Sequence, residues 1–362
     1  VINNEYNKRG DIQVKSSIWE YIDLTVKEKD ELWNNGVFVF DTNVLLNLYR
    51  CSKKTSEALI NALEKLSERI WIPHQVAYEF MKNRCKVIID VCIKYEEFEN
   101  IKKTFLDQAK SLSNMRDVDP EIVELEKYID TWIKDTERNN LVVTNPSSDS
   151  VLSTILKLFN GKAGEEYSHV KTKELIKEGE ERYKKNIPSG YKDAKKANND
   201  CDNNAYGDFF VWNQIINYAK NSNKDIIFVT ADQKEDWWYR YKGKTVSPRI
   251  ELRKEFKDKS KQEFYMYSMY NFMELFDEKY NYLNNKSVID ELTKLSDEPI
   301  FDSNSLSEYN KRKSRFLELI TKSVNDQDYV KQYIDYFKLD NMSDNRESLR
   351  TNEEEINTEG NE

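Results

Sequence analysis

The sequence predicts an α/β fold built on a central parallel sheet with helices on both sides. Gly36-Val-Phe-Val-Phe runs apolar at every position and stops on Asp41, and Ile226-Ile-Phe-Val229 does the same before Thr230-Ala-Asp232. A strand that is apolar throughout, instead of at alternate positions, is buried on both faces, as in a parallel sheet between helical layers. Between the candidate strands lie segments with apolar residues three and four apart, the crossover helices that parallel pairing needs. Such sheets hold ligands in the crevice beyond the carboxyl ends of their strands, which is where Asp41 and Asp232 would sit.

In order along the chain, Ser16 to Trp33 carries Ile18, Trp19, Tyr21, Ile22, Leu24 and Leu32 among charges and reads as one or two helices packed on the sheet. The first strand, Val37 to Phe40, is followed by Thr42, Asn43 and a helical run of leucines. Asp41 reads equally as the N-cap of that helix, a position Asp favours. Thr55 to Leu66 is a crossover helix, Ile70 to Ile72 a second short strand, and Pro73 opens another helix. On it Glu79 borders the stripe of Val76 and Phe80, although a Glu in an early turn is often only a solvated complement to the helix dipole. From about 83 to 186 the pattern is helical, broken at Asp119-Pro120, Asn145-Pro146 and Gly161, and reads as a long insertion.

Asp208 begins the apolar face of a helix over Asp208 to Lys220, with Val211, Trp212, Ile215 and Ala219. It too has a helix cap as its alternative role. Lys234 to Gln262 holds ten basic and five acidic residues in a chain of net charge −9, and includes Trp237, Trp238, Tyr239 and Tyr241. Cations interleaved with aromatics suit a nucleic-acid groove, with core packing as the other reading of the tryptophans. Phe264 to Tyr267 is a last strand and Tyr270 to Phe276 a closing helix. Beyond Tyr280 short amphipathic helices are expected near Val288–Leu295, Leu306–Ile320 and Tyr329–Leu339, then an acidic tail from Asn341. The expected division is a domain over 1–280 and a helical extension over 281–362.

Composition narrows the chemistry. The chain of 362 residues is 38% hydrophobic and 33% charged, as expected of a water-soluble helix-rich protein. Four cysteines without CxxC spacing indicate neither zinc nor a disulfide framework, so a reducing, cytoplasmic setting is expected. No apolar run has the length of a membrane span, and the first residues lack a signal-peptide core. Only His74 and His169 are available for histidine chemistry. Acidic residues, in contrast, recur at comparable places: Asp41 and Asp232 after strands, Glu79 and Asp208 in early helical turns. Like charges gathered in a crevice repel, and a bound divalent cation is the usual reason to gather them.

These residues resemble the PIN-like nucleases, in particular a large bacterial variety. The resemblance lies in Phe-Asp41-Thr-Asn43-Val-Leu-Leu, Pro73-His-Gln-Val-Ala-Tyr-Glu79-Phe, Gly190-Tyr-Lys-Asp193, Gly207-Asp208-Phe-Phe-Val-Trp212 and Val229-Thr230-Ala-Asp232-Gln-Lys234-Glu-Asp236-Trp-Trp238, across about residues 16–280. It implies a three-layer α/β fold and cleavage of RNA, more than DNA, with Mg2+ or Mn2+ held by Asp41, Glu79, Asp208 and Asp232. Asn43, Asp193, Thr230, Lys234 and Asp236 would support the ions or face the substrate. Lys195, Lys196, Arg249, Arg253 and Lys254 would meet the phosphate backbone. A role as toxin or anti-phage effector, with a regulatory protein partner or self-association, is a further expectation from the resemblance. Two other readings compete: a partner-binding module without catalysis, and a haloacid-dehalogenase-like phosphatase. The phosphatase normally has a second Asp two residues after the first, where this chain has Asn43. No GxGxxG or GxxxxGK[ST] loop suggests a nucleotide fold.

Overall fold

The computed structural model describes residues 18–112, 120–140, 142–193, 203–242, 244–282 and 287–297. Thr25 opens α1 (Val26–Asn35) with a reciprocal cap, its hydroxyl accepting from the Glu28 amide while the Glu28 carboxylate accepts from the Thr25 amide. Gly36 turns the chain into β1 (Val37–Phe40), buried at all four positions. Then follow α2 (Thr42–Arg50), α3 (Lys53–Lys65) and β2 (Ile70–Trp71). Next come α4 (His74–Leu112), α5 (Pro120–Asn140), α6 (Ser150–Leu158), α7 (His169–Lys184) and α8 (Gly207–Ser222). The chain re-enters the sheet as β3 (Ile226–Thr230), makes a hairpin of β4 (Trp238–Tyr241) and β5 (Lys244–Pro248), and continues through α9 (Ile250–Ser260). It ends, among the described residues, with β6 (Phe264–Ser268), α10 (Met269–Tyr280) and α11 (Ser287–Asp297).

The four predicted strands form one parallel sheet in the order β2-β1-β3-β6. Alternation sends Phe38 and Phe40 to one face, where Phe38 meets Trp33 of α1 and both meet Phe272 of α10 with ring centroids 5.0–5.9 Å apart. Phe228 and Phe264 point to the other face, where Phe228 meets Trp237 and Phe264 packs on Trp212 of α8 and Phe256 of α9. Helices on both faces make the three layers expected of uniformly apolar strands. In the crossing register Phe40 lies beside Val229, and the Asp41 amide still donates to the Val229 carbonyl at 2.9 Å. Asp41 and Thr230 therefore leave the sheet side by side at its carboxyl edge.

The described chain forms two compact units. The first takes residues up to Ile93 and from Arg138 to α11, and contains the sheet; the second takes Lys94–Glu137. In the second, Lys102 bridges Glu99 and Asp130, Phe98 packs on Trp132, and Leu106 and Ile133 are buried. Much of the expected insertion is thus part of the sheet-bearing unit. Val151, Ile155 and Leu158 of α6 and Leu175 of α7 are buried in its core, and Ile72 pairs with Ala163.

Beyond 280, α11 falls in the same compact unit. Val288 and Leu292 of α11 are buried in the same core, and Glu291 accepts from the Ser52 amide, the Ser52 hydroxyl and the Thr55 hydroxyl at 2.6–2.7 Å. A carboxylate there complements the amino end of α3. Glu291→Ala is expected to cost about 2 kcal/mol, because it leaves the buried Thr55 hydroxyl without its acceptor; a lower urea midpoint at unchanged slope would show it. The helices expected at Leu306–Ile320 and Tyr329–Leu339, and the acidic tail, lie outside the described residues. No helix among the described residues is long and apolar enough to cross a membrane.

Candidate active site

Asp41 is the cap of α2, and it also stands at the carboxyl edge of the sheet. Its Oδ1 caps α2 by accepting from the Thr42 amide at 2.7 Å, and its Oδ2 accepts from the Thr230 hydroxyl and the Asn43 amide group, each at 2.7 Å. Thr230 is fully buried, and its hydroxyl also accepts from the Asp232 amide at 2.9 Å. Asn43 Oδ1 accepts from the Ala231 amide at 2.9 Å. Asn43 and Thr230 thus tie the end of β1 to the end of β3 and aim Asp41 and Asp232 into one crevice.

Glu79 reaches the same place from the second turn of α4. It is not a solvated helix residue: its Oε2 accepts from the Thr42 hydroxyl at 3.0 Å and its Oε1 from Gln75 Nε2 at 2.8 Å. The main chain of α8 passes so near that a Cβ at Gly207 would overlap Glu79 Oε1. Asp208 follows on α8. It is not the cap, since Tyr206 holds that position; its Oδ2 instead lies 3.4 Å from the Trp237 indole N–H. Sequence reasoning missed Thr42 and Gln75, though their places beside Asp41 and one helical turn before Glu79 were the signal.

The other wall comes from the turn after α7. Gly190 has φ +86°, and a Cβ there would run into the Tyr183 hydroxyl and lie 3.0 Å from Asp208 Cβ, so both the backbone and the space require glycine. The turn presents Asp193 to Lys234, whose Nζ is 3.2 Å from both Asp193 oxygens and 3.0 Å from Asp232 Oδ2. Asp236 is completely buried. Its Oδ2 accepts from the Lys192 amide at 3.1 Å, and its Oδ1 has no hydrogen-bond partner among the described residues. Asp236 thus pins the Gly190–Asp193 turn.

The electrostatics match this crowding. Burial, with the nearby Asp232 and Glu79 charges, raises Asp41 to about 7 against the pull of its Thr230 and Thr42 hydrogen bonds. Burial also raises Asp208 well above the ordinary carboxylate range; Lys234 opposes this, and Asp193, Asp232 and Asp41 add to it. For Lys234 burial works against the charged form, but Asp208, Asp232 and Asp193 outweigh it and hold the pKa above that of a free lysine. The acids therefore share one field, partly neutralised by one ammonium group.

The remaining expected residues lie elsewhere. Arg253 is buried and donates to the carbonyls of Glu20 and Ile22, so it pins the amino-terminal segment and is not a surface cation as expected. Lys254 lies 3.7–3.8 Å from Glu20 and Asp258. Arg249 pairs with Glu251 and donates to the Glu235 carbonyl, on the rim near Asp236. Lys195 and Lys196 lie outside the described residues. His74 is half-buried at the start of α4 and His169 is exposed at the start of α7.

Residues 37–252, more than half of the chain, match the family described as PIN like domain. The chain belongs to the PIN-like domain family. Within the matched region lie all four acids of the crevice and the whole β4–β5 hairpin of this PIN-like domain. No curated protein and no solved structure matches the chain. Among the described residues no three acidic, histidine or cysteine side chains are already gathered in a metal-holding arrangement. In donor chemistry the PIN-like site nonetheless fits a hard divalent cation: its acids offer only oxygen, and burial together with neighbouring carboxylates raises both Asp41 and Asp208, the latter despite Lys234.

Proposed function

We propose that the chain is a divalent-metal-dependent nuclease that hydrolyses phosphodiester bonds, with RNA favoured over DNA. The observation that carries this reading is the placement of Asp41, Glu79, Asp208 and Asp232 around the carboxyl edge of a parallel sheet, where burial and neighbouring carboxylates raise both Asp41 and Asp208. Asp41 and Asp232 would hold the ion, with Glu79 and Asp208 as its further ligands. Bound Mg2+ or Mn2+ supplies Lewis-acid charge that activates water and offsets the charge developing on the phosphodiester. Thr230 and Asn43 fix the Asp41 carboxylate by hydrogen bonds to Oδ2, Gln75 and Thr42 fix Glu79, and Trp237 orients Asp208. Lys234 keeps Asp193 and Asp232 in place by ion pairs.

The competing histidine mechanism needs two acid/base groups at one site. His74 and His169 begin different helices, α4 and α7, ninety-five residues apart in the chain. The test is incubation of labelled tRNA, mRNA, single-stranded DNA and duplex DNA with manganese and with chelator. Products are expected to carry 5′-phosphate and 3′-hydroxyl ends, and cleavage should stop in EDTA. A 2′,3′-cyclic phosphate product, or cleavage that persists in chelator, overturns the reading. Gly207→Ala should lower single-turnover cleavage by about a hundredfold by displacing Glu79, a positional effect, while thermal melting shows the fold intact. Unchanged cleavage would remove Glu79 from the working set.

A further inference from the structure

The β4–β5 hairpin was not foreseen in the sequence, and it leaves two aromatic rings in water. Tyr239 is 44% and Tyr241 61% exposed, whereas Trp238 beside them is buried. Alternation along β4 puts Tyr239 and Tyr241 on the same side, about 7 Å apart along the strand. Lys242 stands 5.5 Å from the centroid of the Tyr241 ring. From Trp237 to Ile250 the chain contains Arg240, Lys242, Lys244 and Arg249 and no acidic residue, within a protein of net charge −9.

The base of the hairpin is fastened to the crevice. Trp238 Nε1 donates to the Asp232 carbonyl at 2.7 Å, and Arg240 Nη1 to the Gln233 carbonyl at 3.3 Å. Tyr239 and Tyr241 stand one and three residues beyond Trp238, about 3 and 10 Å farther along the strand. On the other side of the hairpin a groove of about 740 Å³ runs between β5 and β6, but Glu274, Asp277 and Glu278 line one wall. Those carboxylates repel a phosphate chain, so the groove is not its path.

We propose that Tyr239 and Tyr241, with Lys242, form a base-stacking platform that takes single-stranded nucleic acid and leads it to the acidic crevice. This rests on the nuclease reading and narrows it to unpaired strands. Every base has a face that stacks on a ring, whereas a duplex keeps its bases inside, so a tyrosine pair flanked by cations selects for single strands without reading sequence.

The test is fluorescence anisotropy of the full-length protein in EDTA with short labelled oligouridylate, oligothymidylate and a duplex of the same length. Wild type should bind the single strands more tightly than the duplex. Tyr239→Ala and Tyr241→Ala should each weaken single-strand binding by about tenfold and leave duplex binding unchanged. Tyr239→Phe and Tyr241→Phe should retain it, since the ring and not the hydroxyl does the stacking. Equal single-strand binding by wild type and the Ala variants would overturn the proposal and leave the pair to a protein partner. A preference of wild type for duplex, or no binding of any strand, would overturn it as well. Tyrosine-dependent binding in chelator with no cleavage in manganese would instead defeat the nuclease reading and keep the platform.

Discussion

Asp41→Asn is expected to reduce cleavage by about a thousandfold or more and, in the same molecule, to raise the stability of the metal-free fold at pH 8. The loss of activity follows from removing a full charge at the point where the nuclease reading puts the ion. The gain in stability follows from the raised pKa. Asp41 goes from 3.8 in the unfolded chain to about 7 in the fold, so between those values the folded protein holds a proton that the unfolded chain has released. Stability then falls as pH rises through that window and is lowest above about 7, where the folded site must carry the charge. Three pH units correspond to at most about 4 kcal/mol, and asparagine escapes that cost. Its single carbonyl can still accept from either Thr42 or Thr230, which donate to different oxygens of Asp41. Urea unfolding in chelator at pH 5 and pH 8 should show a gap between variant and wild type that is large at pH 8 and clearly smaller at pH 5. A gap independent of pH would mean that Asp41 is not under charge strain.

Lys234→Met is expected to lose about 3 kcal/mol in chelator, the typical cost of removing one partner from a buried ionic group. Methionine keeps most of the lysine stem, so the loss isolates the ammonium that lies 3.0–3.2 Å from Asp232 and Asp193. The pKa of Lys234 is raised above its ordinary 10.5, so its contribution is complete throughout the neutral range and disappears only under alkaline conditions. Manganese should then stabilise the variant more than the wild type, because the cation replaces a charge the variant lacks. Equal stability of the two proteins in chelator would show that Lys234 is only a neighbour of the acids.

The residues that can be read from the sequence are those whose physical signal is local. Four apolar strands announced the parallel sheet, and all four were placed to within a residue at each end. Asp41, Glu79, Asp208 and Asp232 stood out because each interrupts or borders an apolar run. The β4–β5 hairpin gave no such signal: three of the four β4 residues are exposed, so its alternation leaves no apolar-polar pattern, and the extra residue of its bulge falls on β5. Arg253 looked like a surface cation because nothing nearby in sequence reveals the Glu20 and Ile22 carbonyls it bonds, more than two hundred residues away. The helix of α11 was expected, but the same distance hid its docking, in which Glu291 acts on Ser52 and Thr55.

Asn43 and Thr230, which aim the acids, are also stitches between β1 and β3. The Asp41, Ala231 and Asp232 amides donate to Val229, Asn43 and Thr230, bonds that prolong the sheet past its last paired residues. These amides should exchange with solvent hydrogen only when the sheet itself comes apart, since a group opens at the free energy of the cooperative unit it belongs to. The crevice therefore has no private way to loosen. The repulsion among its carboxylates is borne by the whole sheet-bearing unit, and a cation bound there would slow exchange far into the core as well as at the site.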